Sequence, residues 1–339
     1  MSEQGRREGS VSRRGFVQGA SLLAGTAMGS VLPGVAHAAQ TETDTPGTLG
    51  KRVLGRTGER VSMLTLGTAP LGQGPASDKE GQAVVERALE LGINYFDTAR
   101  IYGNSERFFA PVLKRNRDKM FLATKMWADE VEDFDRLMTE SFRTLGVDYV
   151  DLMHIHSLGN KDVDKLLAKG GVMDFLEKKK EQGVIRFIGI SGHNFPSKFK
   201  RMVDTGRVDV MMVAMNFADR HTYDFERRVL PAARARNMGV ACMKVYGGVK
   251  ATPDSPWTNY QKVSPCQMPE AFLPNAVRYS LGLPGVATAV IGVHSIAQLE
   301  QNVAFVKAYQ PLSEVETASL ENYGKELAAA WGPRFGAAT

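Results

Sequence analysis

The chain reads as an α/β protein, a (β/α)8 TIM barrel with an N-terminal β-hairpin and an extra C-terminal helix. Three observations predict it. Eight short apolar runs recur with amphipathic stretches between them, the alternation expected of parallel strands joined by crossover helices. Gly92, Gly146, Gly183 and Gly239 follow the ends of four of those stretches, as helix-closing glycines do. No Gly-x-Gly-x-x-Gly follows the first run, which argues against an open nucleotide-binding sheet.

Residues 1–38 read as targeting rather than fold. Arg13 and Arg14 precede a Gly/Ala-rich apolar segment from Val17 to Val35, and Ala36-His37-Ala38 places small residues around a cut. This resembles a twin-arginine signal cleaved after Ala38. The segment is poor in Leu and Ile, so no stable membrane insertion is expected after cleavage. The expected partner is the twin-arginine export machinery, and the expected location is periplasmic or secreted. Residues 39–49 then form a polar linker, and residues 50–339 the barrel domain.

The barrel domain opens with a hairpin, Arg52–Leu54 and Arg60–Ser62 around Thr57-Gly58. Strands are predicted at Met63–Leu66, Ile93–Phe96, Met120–Thr124, Tyr149–Ile155, Phe187–Ile190, Val208–Met215, Val240–Met243 and Ala287–Ile291. Helices are predicted at Lys79–Leu91, Glu106–Lys114, Phe134–Leu145, Met173–Gln182, Ser197–Val203, Tyr223–Arg236, Ala271–Leu281 and Ile296–Val306, with Leu312–Trp331 as the added C-terminal helix. Ser105 is the expected N-cap of the second. The connection Tyr246–Pro269 is unusually long and carries four prolines. Long loops after barrel strands tend to shape substrate pockets.

Composition narrows the function. A 339-residue chain with 43% hydrophobic and 23% charged residues and a net charge of +5 has ample core and no basic stripe, so no nucleic-acid partner is expected. The Lys178–Lys180 run reads as a solvated helix face. Cys242 and Cys266 are the two cysteines, too few for an iron-sulfur cluster, and no Cys/His spacing fits structural zinc. A disulfide between them is permitted by export but not indicated by their spacing.

A barrel enzyme assembles its site from the carboxyl ends of its strands. The second predicted strand ends at Asp97 with Tyr102 in the following turn, the third at Lys125 followed by Trp127, and the fourth at His154 and His156. A phenol of pKa ~10 is a weak acid at neutral pH, and a nearby ammonium lowers that value. Lys125 can play that part, with Asp97 holding Lys125, so that Tyr102 serves as general acid/base. His156 can donate to the same substrate oxygen.

At these residues the chain resembles the aldo-keto reductase family. The segments Met63–Thr68, Asn94–Ala99 with Tyr102-Gly103, Leu145–Leu152 and Val184–Ser191 carry the resemblance. It implies a catalytic tetrad of Asp97, Tyr102, Lys125 and His156, with His154 behind it. It also implies a cofactor-binding set of Gly67, Thr68, Asp97, Ser191, Gly192, Met212, Lys244, Gly292, Val293, His294, Gln298 and Asn302. Ala69, Trp127 and Tyr246 are the expected substrate-pocket residues.

The cofactor positions depart from the family pattern. Gly192 stands where an Asn, and Met212 where a Gln, would grip the carboxamide; a thioether is a weak acceptor. Lys244 replaces an aromatic residue that stacks on the nicotinamide, and Tyr246 is the candidate to cover that ring instead. Gly292 and Gln298 replace basic residues that select a 2′-phosphate, leaving His294 nearby. The implied cofactor is therefore NADP or NAD, with no metal and no iron-sulfur cluster. The implied reaction moves a hydride between that cofactor and an aldehyde, ketone or sugar carbonyl, with small-molecule carbonyls or alcohols as substrates. A nicotinamide-binding barrel acting as a sensor or partner subunit is the alternative, and a barrel isomerase or lyase a third.

Overall fold

The computed structural model describes residues 48–248 and 268–339. The expected signal, most of the linker, Cys266 and residues 249–267 of the long loop lie outside the described residues. Strands β1 (Lys51–Val53) and β2 (Arg60–Ser62) form the antiparallel hairpin, with Gly58 at φ +72 in its turn. The barrel strands are β3 (Leu64–Gly67), β4 (Tyr95–Asp97), β5 (Phe121–Met126), β6 (Val150–Ile155), β7 (Ile185–Gly192), β8 (Val210–Ala214), β9 (Gly239–Met243) and β10 (Val286–Gly292). They run in chain order around a closed barrel, which β10 seals by pairing with β3 from Ala289↔Leu64 to Gly292↔Gly67. All eight predicted runs become these strands, and the (β/α)8 reading holds.

The hairpin plugs the amino end of the barrel. Leu54 and Val61 are fully buried with Tyr95, Phe121, Leu152 and Val210, and burying one Leu contributes about 2 kcal/mol. This plug explains Gly239. A Cβ there would lie 2.8 Å from Leu54 Cγ, so the glycine admits the plug. It does not close a helix as expected: Asn237 takes the left-handed conformation instead, at φ +48. Gly92, Gly146 and Gly183 do have φ of +92, +68 and +73.

Two other local expectations are corrected. The single helix predicted over Tyr223–Arg236 is two, Phe225–Arg228 and Leu230–Ala235, because Pro231 lacks an N–H and its ring crowds the preceding turn. The Lys178–Lys180 run is not wholly solvated, since Lys180 Nζ lies 2.5 Å from Asp209 Oδ2 and Lys179 Nζ 3.1 Å from Asp135 Oδ1.

The C-terminal helix Glu314–Trp331 begins with a capping box, Ser313 with Glu316. Beyond it the tail crosses the carboxyl end of the barrel. Phe335 N donates to Tyr223 Oη at 2.7 Å, and its ring packs 4.8 Å from that of His193.

Candidate active site

Strand alternation brings the polar groups together. Lys125 on β5 is in register with His154 on β6, and His156, two residues beyond His154, shares its face. Asp97 ends β4 opposite Gly67 of β3. Lys125 Nζ donates to Asp97 Oδ2 at 2.6 Å and to the Thr98 carbonyl at 2.9 Å, with both side chains buried.

The turn carrying Tyr102 is pinned from below. Gly103 lies so close to Gly72 that a Cβ there would sit 2.4 Å from the Gly72 carbonyl oxygen. The Ser105 hydroxyl lies 2.5 Å from Thr68 Oγ1 and 2.6 Å from Thr98 Oγ1. Ser105 is thus not the N-cap, which is Asn104. Its hydroxyl is buried and joined to two strand ends, a tertiary claim that outweighs local capping.

Tyr102 stands over this base. Lys125 Nζ lies 4.8 Å from its ring centroid, and the His156 ring meets it edge to face at 5.6 Å. Trp127, 43% exposed, packs on the other side of His156 at 5.6 Å. Behind Trp127 stands Lys161, 5.1 Å from its ring and 2.5 Å from Asp129 Oδ1.

Burial dominates the electrostatics. It pushes the Asp97 carboxyl up and the Lys125 ammonium down, while each charge opposes the other's shift. Burial first, and then the charge of Lys125, holds His156 and His154 well below the ordinary imidazole value. His156 is therefore a neutral donor or acceptor rather than a cation.

A cleft opens above these groups. Of the residues expected from the sequence, Gly67, Thr68, Ala69, Asp97, Tyr102, Met212, Lys244, Tyr246 and Gly292 line it. Lys125 and His156 stand beside Tyr102 instead, with Trp127 against His156. Ser191 and Gly192 end β7, where Ser191 pairs with Met212 and the Phe199 ring fills the space a Gly192 side chain would need.

The β10 end and the helix after it, where the sequence reading expects cofactor phosphates, are tied together by side-chain hydrogen bonds. Val293 is buried. Gln298 Oε1 accepts from His294 N at 2.8 Å, while Gln298 N donates to Ser295 Oγ at 3.3 Å, capping the helix Ile296–Lys307. Asn302 Oδ1 accepts from Tyr246 Oη at 2.7 Å, tying the loop after β9 to that helix. Among the described residues no cluster of His, Cys, Asp or Glu suits a metal. Cys242 is buried and donates to the Ser280 carbonyl at 3.8 Å.

Sequence reasoning missed Lys161 and the tail residues Arg334 and Phe335. No local pattern marks them, because they reach the site through tertiary packing.

A closed parallel barrel with an acid, a lysine, a phenol and an imidazole gathered at its strand ends has the form of a barrel enzyme. The chain belongs to the aldo/keto reductase family, whose family model matches residues 63–255. It is 30% identical over 298 residues to the L-galactose dehydrogenase of Arabidopsis thaliana, covering 79% of this chain and 92% of the relative. It is 26% identical to a D-threo-aldose 1-dehydrogenase of Pseudomonas sp over 68% of this chain and 84% of the relative. The holo form of an aldo-keto reductase from Bacillus halodurans superposes with a TM-score of 0.64 at 25% identity, over 84% of this chain and 99% of that one. An aldo/keto reductase from Klebsiella pneumoniae in complex with NADP and acetate, at 20% identity, shares the fold with a TM-score of 0.62, over 80% of this chain and 95% of that one. The chain is thus a member of an oxidoreductase family.

Proposed function

We propose that the chain is an exported oxidoreductase that moves a hydride between a nicotinamide cofactor and an aldehyde, ketone or sugar carbonyl, with Tyr102 as general acid/base. The observation that carries this reading is Lys125 Nζ, buried 2.6 Å from Asp97 Oδ2 and 4.8 Å from the Tyr102 ring. That ammonium favours the phenolate and so makes Tyr102 a better proton donor. Asp97 fixes Lys125 in place. Neutral His156 can hold the substrate oxygen by a hydrogen bond without competing as an acid.

The residues present fit a nicotinamide. Asp97 Oδ1, His156 Nδ1 and Ser191 Oγ are buried and lack a hydrogen-bond partner among the described residues, a cost that a bound polar ligand would relieve. Ser191 and Asp97 would face the carboxamide half, and the strand end at Gly292 with the following helix start would take the phosphates. When bound, the nicotinamide supplies or receives the hydride. Met212 and Gly192 in the grip favour the second reading, a nicotinamide-binding barrel with little catalysis.

A panel of aldehydes, ketones and aldoses, assayed with NADH, NADPH and their oxidised forms, separates the readings. Turnover that requires a nicotinamide supports the proposal. Tight cofactor binding without turnover supports the sensor, and turnover with no nicotinamide supports an isomerase or lyase. Export is tested by replacing Arg13 and Arg14 with Lys, which should leave the protein in the cytoplasm.

A further inference from the structure

Glu106, in the first turn of the helix Ser105–Asn116, is a carboxylate almost wholly excluded from solvent, and it does not line the cleft. Burying a charge is costly unless other groups compensate it. Three side chains from three elements do so here. Thr124 Oγ1, on β5, donates to Glu106 Oε1 at 3.1 Å, and Ser141 Oγ, on the helix Val131–Leu145, donates to the same oxygen. Arg100, in the turn that carries Tyr102, donates from Nη1 to Glu106 Oε2 at 3.3 Å. Burial raises the Glu106 carboxyl, against the bonds from Ser141 and Thr124 and the charge of Arg100.

We infer that Glu106 is a positioning residue: it locks the turn carrying Tyr102 to the strand carrying Lys125, and so fixes the phenol against the ammonium. The inference rests on the proposed role of Tyr102 as general acid/base. Neighbouring side chains on a strand point to opposite faces. Thr124 thus meets Glu106 on the outside of β5, while Lys125, the next residue, meets Asp97 on the inside. Arg100 completes the link, since its backbone N–H donates to the Lys125 carbonyl at 3.3 Å while its guanidinium reaches Glu106. Turn and strand are joined twice, once through backbone and once through the carboxylate. The helix Val131–Leu145 anchors the junction from behind through Ser141 and through Glu140, whose Oε2 lies 3.6 Å from Arg100 Nε. The Ser105 hydroxyl ties the same turn to the strand ends at Thr68 and Thr98, and Glu106 ties it to β5. The influence of Lys125 on the phenol, 4.8 Å from ammonium to ring centre, falls with distance. Play in either element therefore weakens it.

The test compares wild type with Thr124→Val, Thr124→Ser and Glu106→Gln, with circular dichroism to check folding. Thr124→Val removes the hydroxyl that Glu106 holds and leaves every charge in place; Thr124→Ser restores the hydroxyl. Glu106→Gln keeps an acceptor for the two hydroxyls but cannot hold the guanidinium as a carboxylate does. Carbon-13 NMR of ring-labelled tyrosine in the cofactor-free proteins follows the phenol directly, with Tyr102 assigned by its loss in Tyr102→Phe. Tyr102 should titrate at a higher pH in Thr124→Val than in wild type, and at the wild-type pH in Thr124→Ser. In turnover of a reactive aldehyde with NADH or NADPH, kcat should fall about tenfold or more in Thr124→Val and Glu106→Gln, with KM within about twofold, because misplaced catalytic groups cost rate rather than binding. Thr124→Ser should recover kcat to within about twofold of wild type. A wild-type Tyr102 titration together with wild-type kcat in folded Thr124→Val would overturn the inference. Equal turnover by wild type and Tyr102→Phe would instead refute Tyr102 as the acid/base, and the titration would still decide whether Glu106 positions it.

Discussion

Arg334 in the C-terminal tail holds both carboxylate oxygens of Asp219, at 2.7 and 2.9 Å, with both side chains almost wholly excluded from solvent. The same guanidinium donates to the Gly247 carbonyl at 3.0 Å and packs on the Trp331 and Phe335 rings. The tail is thereby fastened to the loops after β8 and β9, which carry Asn216 and Lys244.

Removing one partner leaves the other charge buried, which costs about 3–5 kcal/mol. Arg334→Met should lower unfolding stability by about 3 kcal/mol in urea melts near neutral pH. A loss below ~1 kcal/mol would mean that the tail is not fastened in solution.

Ser105 joins the Tyr102 turn to the strand ends at Thr68 and Thr98, and the Thr98 carbonyl accepts from Lys125. Ser105→Ala takes the partner from the buried Thr98 hydroxyl, while Thr68 keeps its bond to the Asp97 carbonyl, and should cost about 1–3 kcal/mol. Because Ser105 positions Tyr102 and Lys125, kcat should fall with little change in KM. A variant with wild-type kcat and lowered stability would reduce Ser105 to a packing role.

Glu226 gives a pH dependence whose sign is fixed. Burial raises its carboxyl to about 7 from 4.5, against the hydrogen bond it accepts from Tyr279 and the charge of Arg220. The folded chain then binds this proton more tightly than the unfolded chain. The stability it contributes is full below 4.5 and is lost as pH rises through about 7. Relative to wild type, Glu226→Gln should gain stability progressively across that window in denaturant melts. A pH-independent difference would show that Glu226 titrates normally.

His156 should stay neutral, since burial and the nearby Lys125 both disfavour its charged form. Nitrogen-15 NMR of the ring should show a neutral imidazole well below the pH at which an ordinary histidine takes up its proton. Protonation near ~6.5 would place solvent around His156 and weaken its role as an uncharged donor.

The barrel was legible because its signal is repetitive. Eight apolar runs and their intervening helices each announce themselves locally, and strand-end positions such as Asp97 and Lys125 follow from them. What failed was residues with a local reading and a tertiary use. Ser105 looks like a cap but is bonded to Thr68 and Thr98. Gly239 looks like a helix stop but makes room for Leu54. Arg334 and Lys161 had no local signal, because their partners, Asp219 and Asp129, are distant in sequence. Met212 and Lys244 were visible as departures, but only the structure shows them lining one cleft with Tyr102.

The proposed reaction depends on Tyr102 moving the proton. Its most direct test is single-turnover oxidation of bound reduced cofactor by a reactive aldehyde, comparing wild type with Tyr102→Phe. Decay should be slowed by about a hundredfold or more in the variant, with cofactor affinity unchanged. Equal decay rates in the two proteins would contradict it.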